Sequence, residues 1–102
     1  MDKSKDLRCT AWNNGGNGWG IRMGKERHKI SRDTTSITVK LAEKTIELPI
    51  KDSFWTTCPE IRSTKIREFF FQHGINKENK TNYWVMLHQQ KDRVFDVTIK
   101  QR

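Results

Sequence analysis

Apolar residues in this chain recur mostly at every second position, in short runs bounded by turn residues. That period puts successive side chains on opposite faces of a strand. Arg8-Cys9-Thr10-Ala11-Trp12 reads as a first strand, and Trp19-Gly20-Ile21-Arg22-Met23 alternates again beyond a glycine and asparagine loop, so the two form a hairpin with a wide tip. Thr34 to Leu41 is a clearer strand, with Ile37, Val39 and Leu41 on one face and Thr38 and Lys40 on the other. Thr45 to Ile50 repeats the pattern through Ile46, Leu48 and Ile50, which makes Ala42-Glu43-Lys44 a tight connection.

The period then lengthens. Thr57-Cys58-Pro59-Glu60 has the spacing of a capping box with proline in the first turn, and Ile66, Phe69, Phe70 and His73 follow on one helical face. Gly74 is placed to close the helix in a left-handed cap, with Ile75 folding back toward Phe70. Ile61 and Phe71 fall off that stripe, so the segment is one helix or two short ones hinged near Ser63. Tyr83 to His88 is apolar on both faces, as a central or barrel strand requires, and Val94 to Ile99 returns beside it through a hairpin at Lys91-Asp92.

These elements predict an α+β, mainly β fold: a small antiparallel twisted sheet or half-barrel of about six strands, with the helix inserted before the last two strands. The chain of 102 residues makes one domain, 1–102, large enough to bury roughly two thirds of its extended surface. Residues 1–7, rich in alternating charge, are expected to be mobile. The layout is similar to that of small nucleic-acid-binding barrels, including the B3-like pseudobarrels of restriction enzymes and plant regulators; the likeness is one of element order, with no residue correspondence.

Composition narrows the function classes. Hydrophobic residues make up 33%, but four Trp and five Phe let a few large side chains supply the burial that keeps a chain from disorder. Twenty Lys and Arg against twelve Asp and Glu give a net charge of +8, which favours polyanionic partners. The excess is concentrated between Arg22 and Arg32, where five basic residues meet one acid, Glu26; elsewhere lysines sit beside acids. No apolar run has membrane-spanning length, and the start of the chain lacks the apolar segment of a signal peptide. With Cys9 and Cys58 far apart and outside any Cys-x-x-Cys spacing, a reducing cytoplasm with free thiols is the expected setting.

Five of the six glycines lie between Gly15 and Gly24. Glycine and asparagine tolerate positive φ, so such a loop can bring bare backbone amides up to an anion, with Trp12 and Trp19 as aromatic posts on either side. The loop carries no dinucleotide or P-loop fingerprint. Asn13, Asn14, Asn17 and Trp19, followed by Arg22, Lys25, Arg27, Lys29 and Arg32, form the expected nucleic-acid-binding set: arginines on phosphates or guanine edges, asparagines near bases, and a tryptophan for stacking. Trp84 is assigned to the core near Phe54 or Trp55.

Nothing in the sequence points to catalysis or a cofactor. His28, His73 and His88 have no metal-ligand spacing with each other or with the cysteines. The leading expectation is a non-enzymatic DNA- or RNA-binding module. The alternative is a protein-interaction or regulatory subunit that presents a sheet edge, or the Phe69 to Phe71 helix, to an acidic partner.

Overall fold

In a computed structural model, residues 6–102 are described. Among these described residues seven strands form one nearly closed, barrel-like sheet: β1 (Leu7–Asn13), β2 (Trp19–Arg22), β3 (Ser36–Leu41), β4 (Lys44–Pro49), β5 (Glu60–Arg62), β6 (Tyr83–Lys91) and β7 (Val94–Gln101), with one α-helix, α1 (Thr64–Gln72), between β5 and β6. The order across the sheet is β4-β3-β7-β6-β1-β2-β5. Every pairing is antiparallel except β3 with β7, which departs from the all-antiparallel expectation because the β3–β4 hairpin docks onto the far side of β7. Leu7, which begins β1, is buried; of the stretch 1–7 expected to be mobile, residues 1–5 lie outside the described ones.

The inward row is the one that strand periodicity marked. Cys9, Ala11, Ile21, Ile37, Val39, Leu41, Val85, Leu87, Phe95 and Val97 join one buried cluster with Ile66, Phe69 and Phe70 of α1. β1 changes partner along its length: Leu7 to Cys9 pair with β6, and Thr10 to Asn13 pair with β2.

The seventh strand, β5, occupies sequence that reads as a helix start. The amides of Thr57 and Cys58 bond to the Ser53 carbonyl, and Pro59 accepts a 2.7 Å bond from the Met23 amide, which draws Glu60 to Arg62 alongside β2. The capping box is therefore not formed. Ser63 caps α1 instead, its Oγ accepting from the Lys65 amide at 3.1 Å. The other end follows the sequence closely. Gly74 has φ +74, its amide bonds to Phe71, and the Ile75 amide bonds to Phe70, which are the two bonds of a Schellman cap.

Cys9 illustrates the dryness of the interior. Burial, with a smaller push from Glu26 and against the pull of Lys29, raises its thiol from 9.0 to about 12. Below pH 9 the thiol is neutral in both folded and unfolded chains, and its contribution to stability is fully present. Between about pH 9 and about 12 only the unfolded chain gives up the proton, so this contribution falls by about 1.4 kcal/mol per pH unit. Urea titrations at stepped alkaline pH are expected to show a shallower loss of stability for Cys9→Ala than for the parent protein. Equal slopes would contradict a buried thiol.

Candidate functional site

The sequence-predicted residues divide into three groups in space. The glycine and asparagine loop satisfies itself: Asn13 Nδ2 donates to the carbonyls of Gly16 and Gly18, Asn13 Oδ1 accepts from the Gly15 amide, and Asn14 Oδ1 accepts from the amides of Gly16 and Gly18. The amides expected to cradle an anion are already engaged, and Asn13 and Asn14 are spent in shaping the turn. Asn17 is exposed at its tip. Trp19 is the second correction. It is 3% exposed and packs edge-on against Phe70 and Phe71, because it pairs with Asn13 on the face of β2 that α1 covers.

The basic segment lies at the other end of the β1–β2 hairpin, in a 3₁₀ turn at Gly24–Lys29. β1 runs between the two: its start is held by Glu26, which accepts from the Arg8 amide, while its end carries the loop. Seven strand residues separate them, a span of roughly 20 Å. Arg27 is engaged with the carbonyls of Gly24 and Trp55, Lys29 is paired with Glu26 at 3.1 Å, and Arg32 lies over the Trp55 ring. Burial works to raise the Glu26 carboxyl, but the Arg8 amide bond and the bond and charge of Lys29 outweigh it and hold it below the usual range. Arg22 and Lys25 are exposed, with no side-chain ion pair or hydrogen bond among the described residues.

What the fold does bring together is a different set. On the outer face of β1, alternation places Arg8, Thr10 and Trp12 in a row opposite the buried Leu7, Cys9 and Ala11. Register sets Arg22 of β2 beside Thr10, and Gly20 beside Trp12; Arg62 of β5 follows Gly20 in the same row. Since Gly20 has no side chain, Arg62 reaches across it and lies 4.5 Å from the Trp12 ring centroid. On β6, Trp84 points to this outer side rather than to the core, as the buried Val85 and Leu87 beside it dictate. Phe54 and Trp55, its expected neighbours, instead pack on each other at 5.0 Å. Arg8 from β1 and Arg102 from beyond β7 approach the Trp84 ring at 4.4 and 3.8 Å.

The outcome is a sheet face carrying two tryptophans, each under arginine, with Arg22 and Lys100 beside them. Among the described residues Arg8, Arg22 and Arg102 have no carboxylate within ion-pair distance, and Arg62 has only Glu60 at 3.8 Å. Arg8, Arg62, Arg102 and Trp84 escaped the sequence reading because they come from four distant places. The available signal was the outward phase of β1 and β6.

A further alignment lies at the edge of this face. Asp6 Oδ2 is 3.1 Å from His88 Nδ1, and His88 Nε2 is 2.8 Å from Thr98 Oγ1. The order carboxylate, imidazole, hydroxyl is that of an acyl-transfer triad, but such chemistry also needs donors aimed at an oxyanion. Here the surrounding β6 and β7 backbone is committed to its ladder, and the network ties the start of β1 to both strands. Among the described residues no group of three or more His, Cys, Asp or Glu could hold a metal ion, and no helix is long and apolar enough to cross a membrane.

No protein-family model, curated protein or solved structure matches this chain.

Proposed function

We propose that the protein binds single-stranded nucleic acid, without catalysing a reaction on it, across the outer face of β2, β1 and β6. The observation that carries this reading is the pairing of Trp12 with Arg62 and of Trp84 with Arg8 and Arg102 on one open face. An exposed cation–π contact contributes about 0.5–1 kcal/mol, whereas a base stacked on an aromatic ring contributes about 1–3 kcal/mol. Exchanging one for the other is favourable, and it frees an arginine for the adjoining phosphate. A broad sheet face does not enter a duplex groove, and paired bases offer their flat sides only to each other, so an unpaired strand is the better guest.

Arg22 and Lys25 extend the charge toward the 3₁₀ turn, and Lys100 extends it past Trp84. In this reading Arg27, Lys29 and Arg32, with their internal partners, contribute mainly to the long-range field, and the loop asparagines play no part in contact. The competing protein-docking reading rests on Phe71, which is 53% exposed. Its ring packs edge-on with Trp19, and a single exposed apolar residue falls well short of an interaction patch.

Fluorescence anisotropy with labelled single-stranded RNA, single-stranded DNA and duplex DNA, each at two salt concentrations, tests the proposal. Single strands are expected to bind more tightly than duplex, with affinity falling steeply as salt rises. Arg8→Ala with Arg102→Ala is expected to reduce the magnitude of the salt slope by about 1.4, from about 0.7 per phosphate contact on single strands. Arg27→Ala with Lys29→Ala is expected to change it less. Tighter duplex binding, or a larger effect from the second pair, would move the interface off this face.

A further inference from the structure

One titratable cluster on the outer face takes no part in the stacking platform. On β6, Trp84, Met86 and His88 alternate outward around the buried Val85 and Leu87, and the ladder sets Lys100, Thr98 and Asp96 of β7 opposite them in that order. His88 therefore stands on the same face as Trp84, about 13 Å along the strand. Two carboxylates flank it. Asp6, just before β1, places Oδ2 3.1 Å from His88 Nδ1, and Asp96 is the partner of His88 across the ladder. The cations around them are Arg8 of β1, which lies over Trp84, Lys40 of β3, which faces Asp96 in the β3–β7 register, and Lys29 of the 3₁₀ turn, whose ammonium bonds to the Asp6 carbonyl.

The hydrogen bonds fix where the protons sit. A carboxylate only accepts, so Nδ1 carries the hydrogen shared with Asp6, and in the neutral ring Nε2 accepts from Thr98 Oγ1, 2.8 Å away. In the imidazolium Nε2 carries a proton as well and donates to that same oxygen. The geometry serves both states, but each presents a different surface. With the neutral ring, the Asp6–His88 pair has a net negative charge and the Thr98 hydroxyl is spent on His88. With the imidazolium, the pair has no net charge and the hydroxyl hydrogen is free to turn outward. Thr98 and Lys100 are successive outward residues of β7, roughly 7 Å apart, so that hydrogen is offered beside the cations around Trp84. Histidine is the side chain whose charge ordinarily changes between about pH 5 and 8. His28 lies in the 3₁₀ turn and His73 at the end of α1, which leaves His88 as the histidine of this face.

We infer that His88 is a pH switch on the nucleic-acid face: its protonation cancels the charge of Asp6 and releases the Thr98 hydroxyl to a phosphate oxygen, so a single strand binds more tightly as pH falls. The inference rests on the sheet-face reading above and adds the regulation of that face. Phosphodiesters keep their charge throughout this range, so the change is the protein's own.

Fluorescence anisotropy of the full chain with oligouridine lacking terminal phosphates, whose bases also keep their charge, tests it at fixed ionic strength at about pH 5.5 and about pH 8, on either side of the ordinary histidine range. Affinity is expected to be about threefold to fivefold higher at the lower pH, the worth of one exposed ion pair. His88→Gln, which hydrogen-bonds but does not titrate, is expected to lose most of this response, and His28→Gln to keep it. Asp6→Asn removes the same negative charge at any pH, so its affinity at the higher pH is expected to rise toward that of the parent at the lower. Equal affinity at the two pH values, a response that survives His88→Gln, or weaker binding by Asp6→Asn at the higher pH overturns the switch and leaves the sheet-face reading standing. Absence of oligouridine binding at both pH values sinks the two together.

Discussion

Replacing Gly20 by alanine is expected to lower the stability of the domain by about 3 kcal/mol or more, at the upper end of what overpacking does. A Cβ at this position collides with the carbonyl oxygen of Ile61 and stands 3.1 Å from the Arg62 Cα. The obstacle is backbone on a neighbouring strand, so no rotamer change relieves it. Either β5 moves away from β2, losing the Gly20 to Arg22 ladder, or β2 shifts against β1 and displaces buried Ile21. Both routes open the core. For a domain of this size the loss corresponds to a drop in Tm of roughly 12–24 °C. Gly16→Ala provides the control, since its Cβ meets only the end of the Asn14 side chain at 3.5 Å. Matching melting curves for the two variants would show that β2 and β5 do not approach as closely as described.

The largest functional effect is expected from removing both indoles of the outer face. Trp12→Ala with Trp84→Ala should weaken binding of a single-stranded oligonucleotide by about 2–6 kcal/mol, from two stacking sites of about 1–3 kcal/mol each. Neither side chain belongs to the buried cluster, so the fold should persist, and circular dichroism before the titration checks that it does. Salt dependence separates this variant from the arginine variants: loss of stacking lowers affinity at every salt concentration and leaves the slope unchanged, whereas loss of charge changes the slope. Trp19→Ala is uninformative about binding because its indole is part of the core. Undiminished affinity in the double tryptophan variant would remove the stacking platform from the proposal.

How much of this could be read from the sequence depended on how local the governing interaction was. Gly74 and Ile75 were legible because a Schellman cap is settled within six residues. The β3–β4 hairpin was legible because Leu41 and Lys44 face each other across two residues, even though the turn puts Ala42 at φ +57, a conformation that normally selects glycine or asparagine. β5 was not legible. Thr57 to Glu60 satisfies the spacing of a helix cap, and what overrides it is a hydrogen bond from Met23, far away in the chain, to Pro59. Trp19 and Trp84 were assigned to each other's environments for a related reason: alternation gives the two faces of a strand but not which one the sheet turns inward. That choice depends on where α1 packs, and so on the whole topology.

The candidate site followed the same rule. Charge density along the chain points to the Arg22–Arg32 stretch, yet proximity in sequence lets two of its cations find partners within it, Lys29 with Glu26 and Arg27 with the Gly24 carbonyl. Apart from Arg22, the arginines that remain available come from β1, β5 and the last residue, where no composition window gathers them.

The change of partner along β1 has one more implication. Trp12 rises from the stretch of β1 bonded to β2, and Trp84 from β6, which is bonded to the other stretch. The gap between the two rings is therefore set through β1, the strand that β2 and β6 share. In the proposed reading, a strand of nucleotides spanning both rings would be measured against that gap, so its reach from one base to the next would have to suit the curvature of the barrel itself.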